Sequence, residues 1–278
     1  MLLLNTQPIN HFLFSGGEFQ VKIPHKLDSE RAILTWKPVD ASEITLLVLA
    51  INALKHSGIN DIDLDILYLP YARQDRVCHQ GEAHSLEVMI NILEAFPVSV
   101  LRFWDLHNLD ATIDLLGDVT AVHTSAGDIF DRYKILDDFD LDNLILCAPD
   151  DGAYGRVQDI VDKFDFRRPI AMHKVRCPET GRILEMKSDK YNRDIEGWNI
   201  LIVDDICDGG ATFIETAEIL KAQGAANLYL YVTHGIFSKG LGQLLEHFKH
   251  IYCHHVLHDD TFQSTDKLSI LQEHSSAR

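Results

Sequence analysis

Three features of the sequence predict an α/β protein of two lobes, each a mainly parallel sheet flanked by helices. Apolar strand-like runs alternate with helix-periodic segments, the order that parallel pairing requires. The residues best suited to chemistry fall after the strands, where α/β sheets bind their ligands. A polar, acidic stretch at 134–143 divides the chain into lobes at 1–138 and 139–278.

The chain has 278 residues, 46% of them hydrophobic, enough for two cores. A formal charge of −17 argues against nucleic acid and anionic membrane as partners. No run reaches membrane-spanning length, and Met1-Leu2-Leu3-Leu4-Asn5 is too short for a signal peptide. Cys78, Cys147, Cys177, Cys207 and Cys253 are scattered and odd in number, which fits reduced thiols and a cytoplasmic location.

Residues 12–23 hold a turn leading into an alternating strand with Phe19, Val21 and Ile23 on one face. A short strand is expected at 32–36 and a helix at 42–57, with Ser42 as N-cap and Gly58 as stop. An apolar run at 65–69 leads into P-Y-A-R-Q-D-R at 70–76. A second helix is expected at 85–96, through Leu86, Met89, Ile90 and Leu93, and a strand at 98–104 ends in D-L-H at 105–107. A helix or turn follows at 111–116.

In the second lobe, a strand at 144–148 ends in P-D-D-G-A-Y-G-R, and a helix covers 155–163. A strand at 169–173 runs into K-V-R at 174–176, and 177–192 reads as a flexible polar loop. The strand at 228–232 ends in T-H-G-I-F-S at 233–238. The His-rich stretch 250–258 places Cys253 and His255 on one strand face, but its spacing fits no closed four-ligand zinc site.

The densest chemical signal is residues 199–212, N-I-L-I-V-D-D-I-C-D-G-G-A-T. Ile200 to Val203 form a buried strand ending in Asp204 and Asp205; Asp208, Gly209, Gly210, Ala211 and Thr212 then turn into a helix reaching Gly224. Glycines let backbone N–H groups face an anion, and a helix start adds partial positive charge. Carboxylates repel phosphate, so the Asp pair is read as facing sugar hydroxyls or a Mg²⁺ shared with the phosphates. The stretch thus reads as a sugar-phosphate cradle.

Together, Y-A-R-Q-D-R, D-L-H, P-D-x-G, K-x-R, V-D-D-x-x-D-x-G-x-T and T-H-G-I-F-S, in this order over roughly 14–259, resemble ribose-phosphate diphosphokinase, also called phosphoribosyl pyrophosphate synthetase. The resemblance implies two type-I phosphoribosyltransferase-like lobes with the site at their junction. It implies transfer of the β,γ-diphosphate of ATP to a ribose C1 hydroxyl, with Mg²⁺ and release of AMP. ATP would be bound by Phe14, Glu18, Arg73, Gln74, Asp75 and His107, the last of which would otherwise read as a core histidine. His107 and Asp150 would face the metal; Asp150, Asp204, Asp205 and 208–212 would hold the sugar phosphate. Lys174 and Arg176 would act as catalytic cations closing on the transferring diphosphate. Family ATP sites borrow a neighbour's F-x-D-G-E segment, so a homo-oligomer, dimer or higher, is expected.

Three departures stand out. Both ends are short by family standards, which sets the family's hexamer and allosteric phosphate site aside as expectations. F-x-D-G-E becomes Phe14-Ser15-Gly16-Gly17-Glu18, without the Asp. The usual D-T-G-G-T becomes Asp208-Gly209-Gly210-Ala211-Thr212, which removes a hydroxyl and leaves room. That points to ADP-ribose as an alternative acceptor to ribose 5-phosphate, as in a phage branch of the family that rebuilds NAD⁺. A silent regulatory relative would be expected to lose Lys174. A phosphoribosyltransferase would keep the cradle without needing Y-A-R-Q-D-R or D-L-H.

Overall fold

The computed structural model describes residues 1–24, 30–38, 43–176, 183–188, 195–257 and 262–271. The chain forms two compact units, Met1–Thr124 and Ser125–Arg278. Among the described residues no helix is long and apolar enough to cross a membrane.

The first unit begins with β1 (Leu2–Leu4) and β2 (Gln7–Pro8), then a separate antiparallel hairpin of β3 (Asn10–Leu13) and β4 (Phe19–Lys22). It continues with β5 (Arg31–Trp36), α1 (Ile44–His56), β6 (Asp61–Ile66), α2 (Ser85–Glu94), β7 (Val100–Trp104), α3 (Leu109–Leu115) and β8 (Thr120–Thr124). The sheet order is β2-β1-β5-β6-β7-β8, parallel from β5 to β8, with β1 antiparallel to β5. Leu47, Ile51 and Leu54 of α1 and Leu86 and Ile90 of α2 join Leu34, Leu64 and Leu101 of the strands in one buried cluster. The expected helix cap Ser42 lies outside the described residues. Gly58 does end α1, at φ 88°.

Strand β6 starts at Asp61, well before the apolar run that the sequence marks. Its D-I-D-L-D-I alternation is a strand because the buried Asp63 is held at one oxygen from the neighbouring strands, while its Oδ1 has no hydrogen-bond partner among the described residues. Arg31 and Arg102 donate to its Oδ2 at 2.6 and 2.8 Å.

The second unit contains α4 (Ala126–Tyr133), β9 (Leu144–Ala148), α5 (Tyr154–Lys163), β10 (Ile170–Arg176), β11 (Ile183–Ser188), β12 (Asn199–Cys207), α6 (Ala211–Ala222), β13 (Asn227–Gly235), α7 (Gly242–His247), β14 (His250–Val256) and β15 (Leu268–Ile270). The 134–143 stretch, expected as a divide, holds two short 3-10 turns, Ile135–Asp138 and Leu141–Asn143. Sheet order is β11-β10-β9-β12-β13-β14-β15, parallel except for β11. β9 is buried along its whole length, as expected of a strand covered on both faces.

Two strands outrun their apolar cores. β12 continues through Asp204 and Asp205 to Cys207, and β13 continues through Thr233 to Gly235, because the two pair with each other along that length. The region expected as a loop after 176 contains β11, paired antiparallel with β10.

Gly235 is an enforced glycine. Phe237, at φ 47°, folds back so that a Cβ on Gly235 would stand 2.3 Å from its ring and 2.8 Å from Cys253 Sγ.

The His-rich stretch builds a buried polar chain. His234 Nδ1 lies 3.0 Å from His255 Nε2, His255 Nδ1 3.2 Å from His254 Nδ1, and His254 Nε2 3.3 Å from the Tyr133 hydroxyl. Burial pushes the Tyr133 phenol above its ordinary pKa. Among the described residues no group of three or more His, Cys, Asp or Glu is placed to hold a metal ion.

Candidate active site

In the first unit the loop after β6 carries Arg73, Gln74 and Asp75. It turns tightly, with Gln74 N–H donating to Tyr71 O at 2.8 Å and Tyr71 itself at φ 63°. A non-glycine residue in that region stores local strain. Arg73 and Gln74 are exposed, whereas Asp75 is largely covered.

The loop after β7 presents His107 to solvent. Asp105 before it is buried at φ 40°, and its N–H donates to Thr124 O at 2.8 Å. Asn108 joins the two loops. Its Nδ2 donates to Asp75 Oδ2 at 2.6 Å, while its Oδ1 accepts from Ala111 N–H at 3.1 Å and caps α3. One side chain therefore fixes Y-A-R-Q-D-R against D-L-H.

Phe14 and Glu18 stand at the turn of the β3–β4 hairpin, closed by Phe14 N–H to Glu18 O at 2.8 Å. Gly17, at φ 88°, is the glycine that F-x-D-G-E also has; the departure is at Gly16, where the Asp is missing. Phe12, Leu13 and Phe14 are 49, 58 and 50% exposed, an apolar tip.

In the second unit Asp150 follows β9 and accepts from Ala153 N–H at 3.1 Å. Asp151 Oδ1 meets His173 Nδ1 at 2.6 Å, tying the P-D-D-G loop to the residue before Lys174. Lys174 and Arg176 lie within β10, at backbone positions opposite Met186 and Ile183.

Asp204 and Asp205 sit side by side at the end of β12, largely buried, and share one cation. Arg156 from the first turn of α5 approaches Asp204 Oδ1 at 3.4 Å and Asp205 Oδ1 at 3.6 Å. Asp204 Oδ1 also accepts from Asp205 N–H at 2.9 Å. Burial, then the Asp205 charge, holds the Asp204 carboxyl well above the ordinary carboxylate pKa; Arg156 pulls it back, and Asp150 adds to the rise.

The 208–212 loop follows. Gly210, at φ 78°, begins α6, and its missing side chain leaves room for Leu244, 3.1 Å from where a Cβ would be. Phe213 and Ile214 N–H both donate to Gly210 O at 3.1 Å, and the start of α6 carries the partial positive charge of a helix N-terminus. The turn after β13 braces the loop. Ile236 and Phe237 N–H both donate to Cys207 O, at 2.8 and 3.0 Å, and Ser238 Oγ donates to Asp208 Oδ1 at 2.6 Å. Burial pushes the Cys207 thiol upward, and it stays a packing group.

Within the second unit the fold thus gathers Asp150, Asp204, Asp205 and the loop. Sequence reasoning passed over Arg156, Asn108, Asp151 and Ser238. Only Arg156 carried a signal: an Arg one helical turn into the segment after P-D-D-G points back toward the strand ends.

Comparison with known proteins gives the following. The N-terminal domain of ribose phosphate pyrophosphokinase matches residues 2–96, and the phosphoribosyl synthetase-associated domain matches 190–261. A ribose-phosphate pyrophosphokinase of Pyrococcus furiosus is 32% identical over 230 residues, covering 82% of this chain and 77% of the relative. One from Thermococcus kodakarensis is 31% identical over 231 residues, with the same coverage of 82% and 77%. The crystal structure of phosphoribosylpyrophosphate synthetase from Mycobacterium smegmatis superposes with a TM-score of 0.75 at 19% identity, covering 95% of this chain and 85% of that one, a likeness of fold.

Proposed function

Since the chain belongs to the ribose-phosphate pyrophosphokinase family, we propose that it transfers the β,γ-diphosphate of ATP to the C1 hydroxyl of a ribose 5-phosphate moiety. We place ATP on the first lobe and the sugar phosphate on the second. The observation that carries this is the pairing of Asp204 and Asp205, held by Arg156, with the amide-lined start of α6. One side accepts hydrogen bonds from ribose hydroxyls; the other donates to phosphate.

Arg73, Gln74 and Asp75, held by Asn108, and the exposed His107 grip ATP. The ribose C1 oxygen attacks the β-phosphorus in line, the bond from that phosphorus to the bridging oxygen of the α-phosphate breaks, AMP leaves, and the hydroxyl proton passes to solvent. Lys174 and Arg176 stabilise charge on the transferring group.

The donor set fits Mg²⁺. The carboxylate oxygens of Asp150 are ligands of the kind that Mg²⁺ takes beside phosphates and water. Burial first, and then the neighbouring Asp205 and Asp150 charges, raise the Asp204 pKa, and a dication would offset the charge part of that rise. When bound with ATP, Mg²⁺ supplies neutralisation of the polyphosphate. The exposed Phe12, Leu13 and Phe14 tip supports a homo-oligomer in which the 14–18 turn reaches a neighbouring subunit.

A second acceptor, ADP-ribose, is favoured by Gly209, which stands where D-T-G-G-T has Thr, lacks its hydroxyl for a terminal phosphate and leaves space for a diphosphate. The product would then be ADP-ribose carrying a diphosphate on C1, a precursor for NAD⁺ resynthesis. Mass spectrometry of products from Mg²⁺–ATP with each acceptor tests both. AMP with a 1-diphosphate of ribose 5-phosphate supports the first reading; AMP formed with ADP-ribose alone supports the second. Absence of AMP with either refutes diphosphate transfer and leaves a regulatory role.

A further inference from the structure

We propose that Lys239 is a phosphate-binding residue of the 208–212 cradle, contacting the phosphate on C5 of the acceptor's ribose. The inference rests on the reading of the cradle as the acceptor site.

The turn that carries Lys239 is pinned to the cradle at three points: Ile236 and Phe237 on Cys207 O, and Ser238 on Asp208. Gly240 N–H closes it on Phe237 O at 2.7 Å. Lys239 is thereby laid along Gly209. Its Cε and Cδ come within 3.4 and 3.5 Å of where a Gly209 Cβ would stand, van der Waals contact that lays the stem directly over that glycine. The ammonium is one bond further on, at the rim of the loop.

Charge explains why a cation is needed there. Asp150, Asp204, Asp205 and Asp208 crowd the site and repel a phosphate, and Arg156 is already committed to the Asp204–Asp205 pair. Lys239 makes no ion pair among the described residues, despite the acidic surroundings, and it is exposed. An exposed ammonium needs no desolvation until the phosphate arrives, and a lysine serves phosphate as a point charge from a flexible stem. The backbone amides of the loop supply direction; Lys239 supplies charge.

The chemistry recognised is a phosphate ester on ribose C5, either a monoester or the first phosphate of a diphosphate. The test uses wild type, Lys239→Gln and Lys239→Arg. Ribose 5-phosphate and ADP-ribose are each titrated calorimetrically without ATP, and acceptor KM and kcat are then measured with Mg²⁺–ATP. The expected result is acceptor binding about tenfold weaker in Lys239→Gln, a rise in acceptor KM rather than a fall in kcat, and substantial recovery in Lys239→Arg. The acceptor that shows the change identifies the monoester or the diphosphate as the ligand. Equal acceptor affinity in wild type and Lys239→Gln would overturn the role of Lys239 while leaving the cradle reading intact. Wild-type protein that binds neither acceptor would overturn both.

Discussion

Replacing Arg156 with Met keeps the side chain's length and removes the charge that two buried carboxylates share. Arg156 lies 3.4 and 3.6 Å from Asp204 and Asp205, and all three side chains are largely buried. Breaking a buried pair by removing one partner costs about 3–5 kcal/mol, because the remaining charge is left uncompensated. Here the loss is pH-dependent. Asp204 already holds its proton to higher pH when folded than when unfolded. A carboxyl of that kind favours the native state below the ordinary carboxylate range, and the advantage is lost as pH rises through its raised pKa. Arg156 limits that loss, so its removal lifts the Asp204 pKa further. Arg156→Met should therefore be about 3 kcal/mol less stable than wild type near pH 8, and the gap should narrow toward pH 5 as Asp204 takes up a proton. Urea unfolding followed by far-ultraviolet circular dichroism at both pH values measures this. A variant as stable as wild type near pH 8, or one whose deficit ignores pH, would refute the charge-sharing account.

Three further outcomes are expected. Gly235→Ala puts a methyl 2.3 Å from the Phe237 ring and should destabilise the protein by about 1–3 kcal/mol, seen as a lower urea midpoint. Asn108→Ala loses both the α3 cap and the hold on Asp75; helix stability should fall by about 1 kcal/mol, and ATP KM should rise with acceptor KM unchanged. Lys174→Ala should lower kcat by about 100-fold with an unchanged circular dichroism spectrum, and turnover near wild type would remove Lys174 from the mechanism.

The strands and helices with strong apolar periodicity were legible from sequence. α2 and β9 match within two residues, because burial on one face or both leaves a repeating pattern. α4 was missed: it is short and mostly polar, and its clearest mark is the Ser125–Asp128 capping box rather than its hydrophobicity. β12 and β13 were ended too early because Asp204, Asp205, Thr233 and His234 look like loop residues, whereas the strand pairing that extends over them is a long-range effect. The chemical types of the cradle were readable at Asp204, Asp205 and Gly210. The partner that balances the carboxylates, Arg156, lies 48 positions from Asp204, and only folding brings them together. The same holds for Asn108 and Asp75, which are 33 apart.

The histidine chain between β13, β14 and α4 has a consequence of its own. Each contact between two ring nitrogens, or between ring nitrogen and hydroxyl, works only with one hydrogen in it. His255 uses Nε2 toward His234 and Nδ1 toward His254, so as a neutral ring it must give on one side and receive on the other. The direction at His255 then dictates the direction at every other contact. Either the hydrogens all point from Tyr133 toward His234, or they all point back. An extra proton on His255 would make both of its nitrogens donors, and the hydrogens would then point outward from it on both sides. The interior of the second unit therefore has two mirror arrangements of hydrogens on the same heavy atoms, and changing one into the other requires four groups to move together.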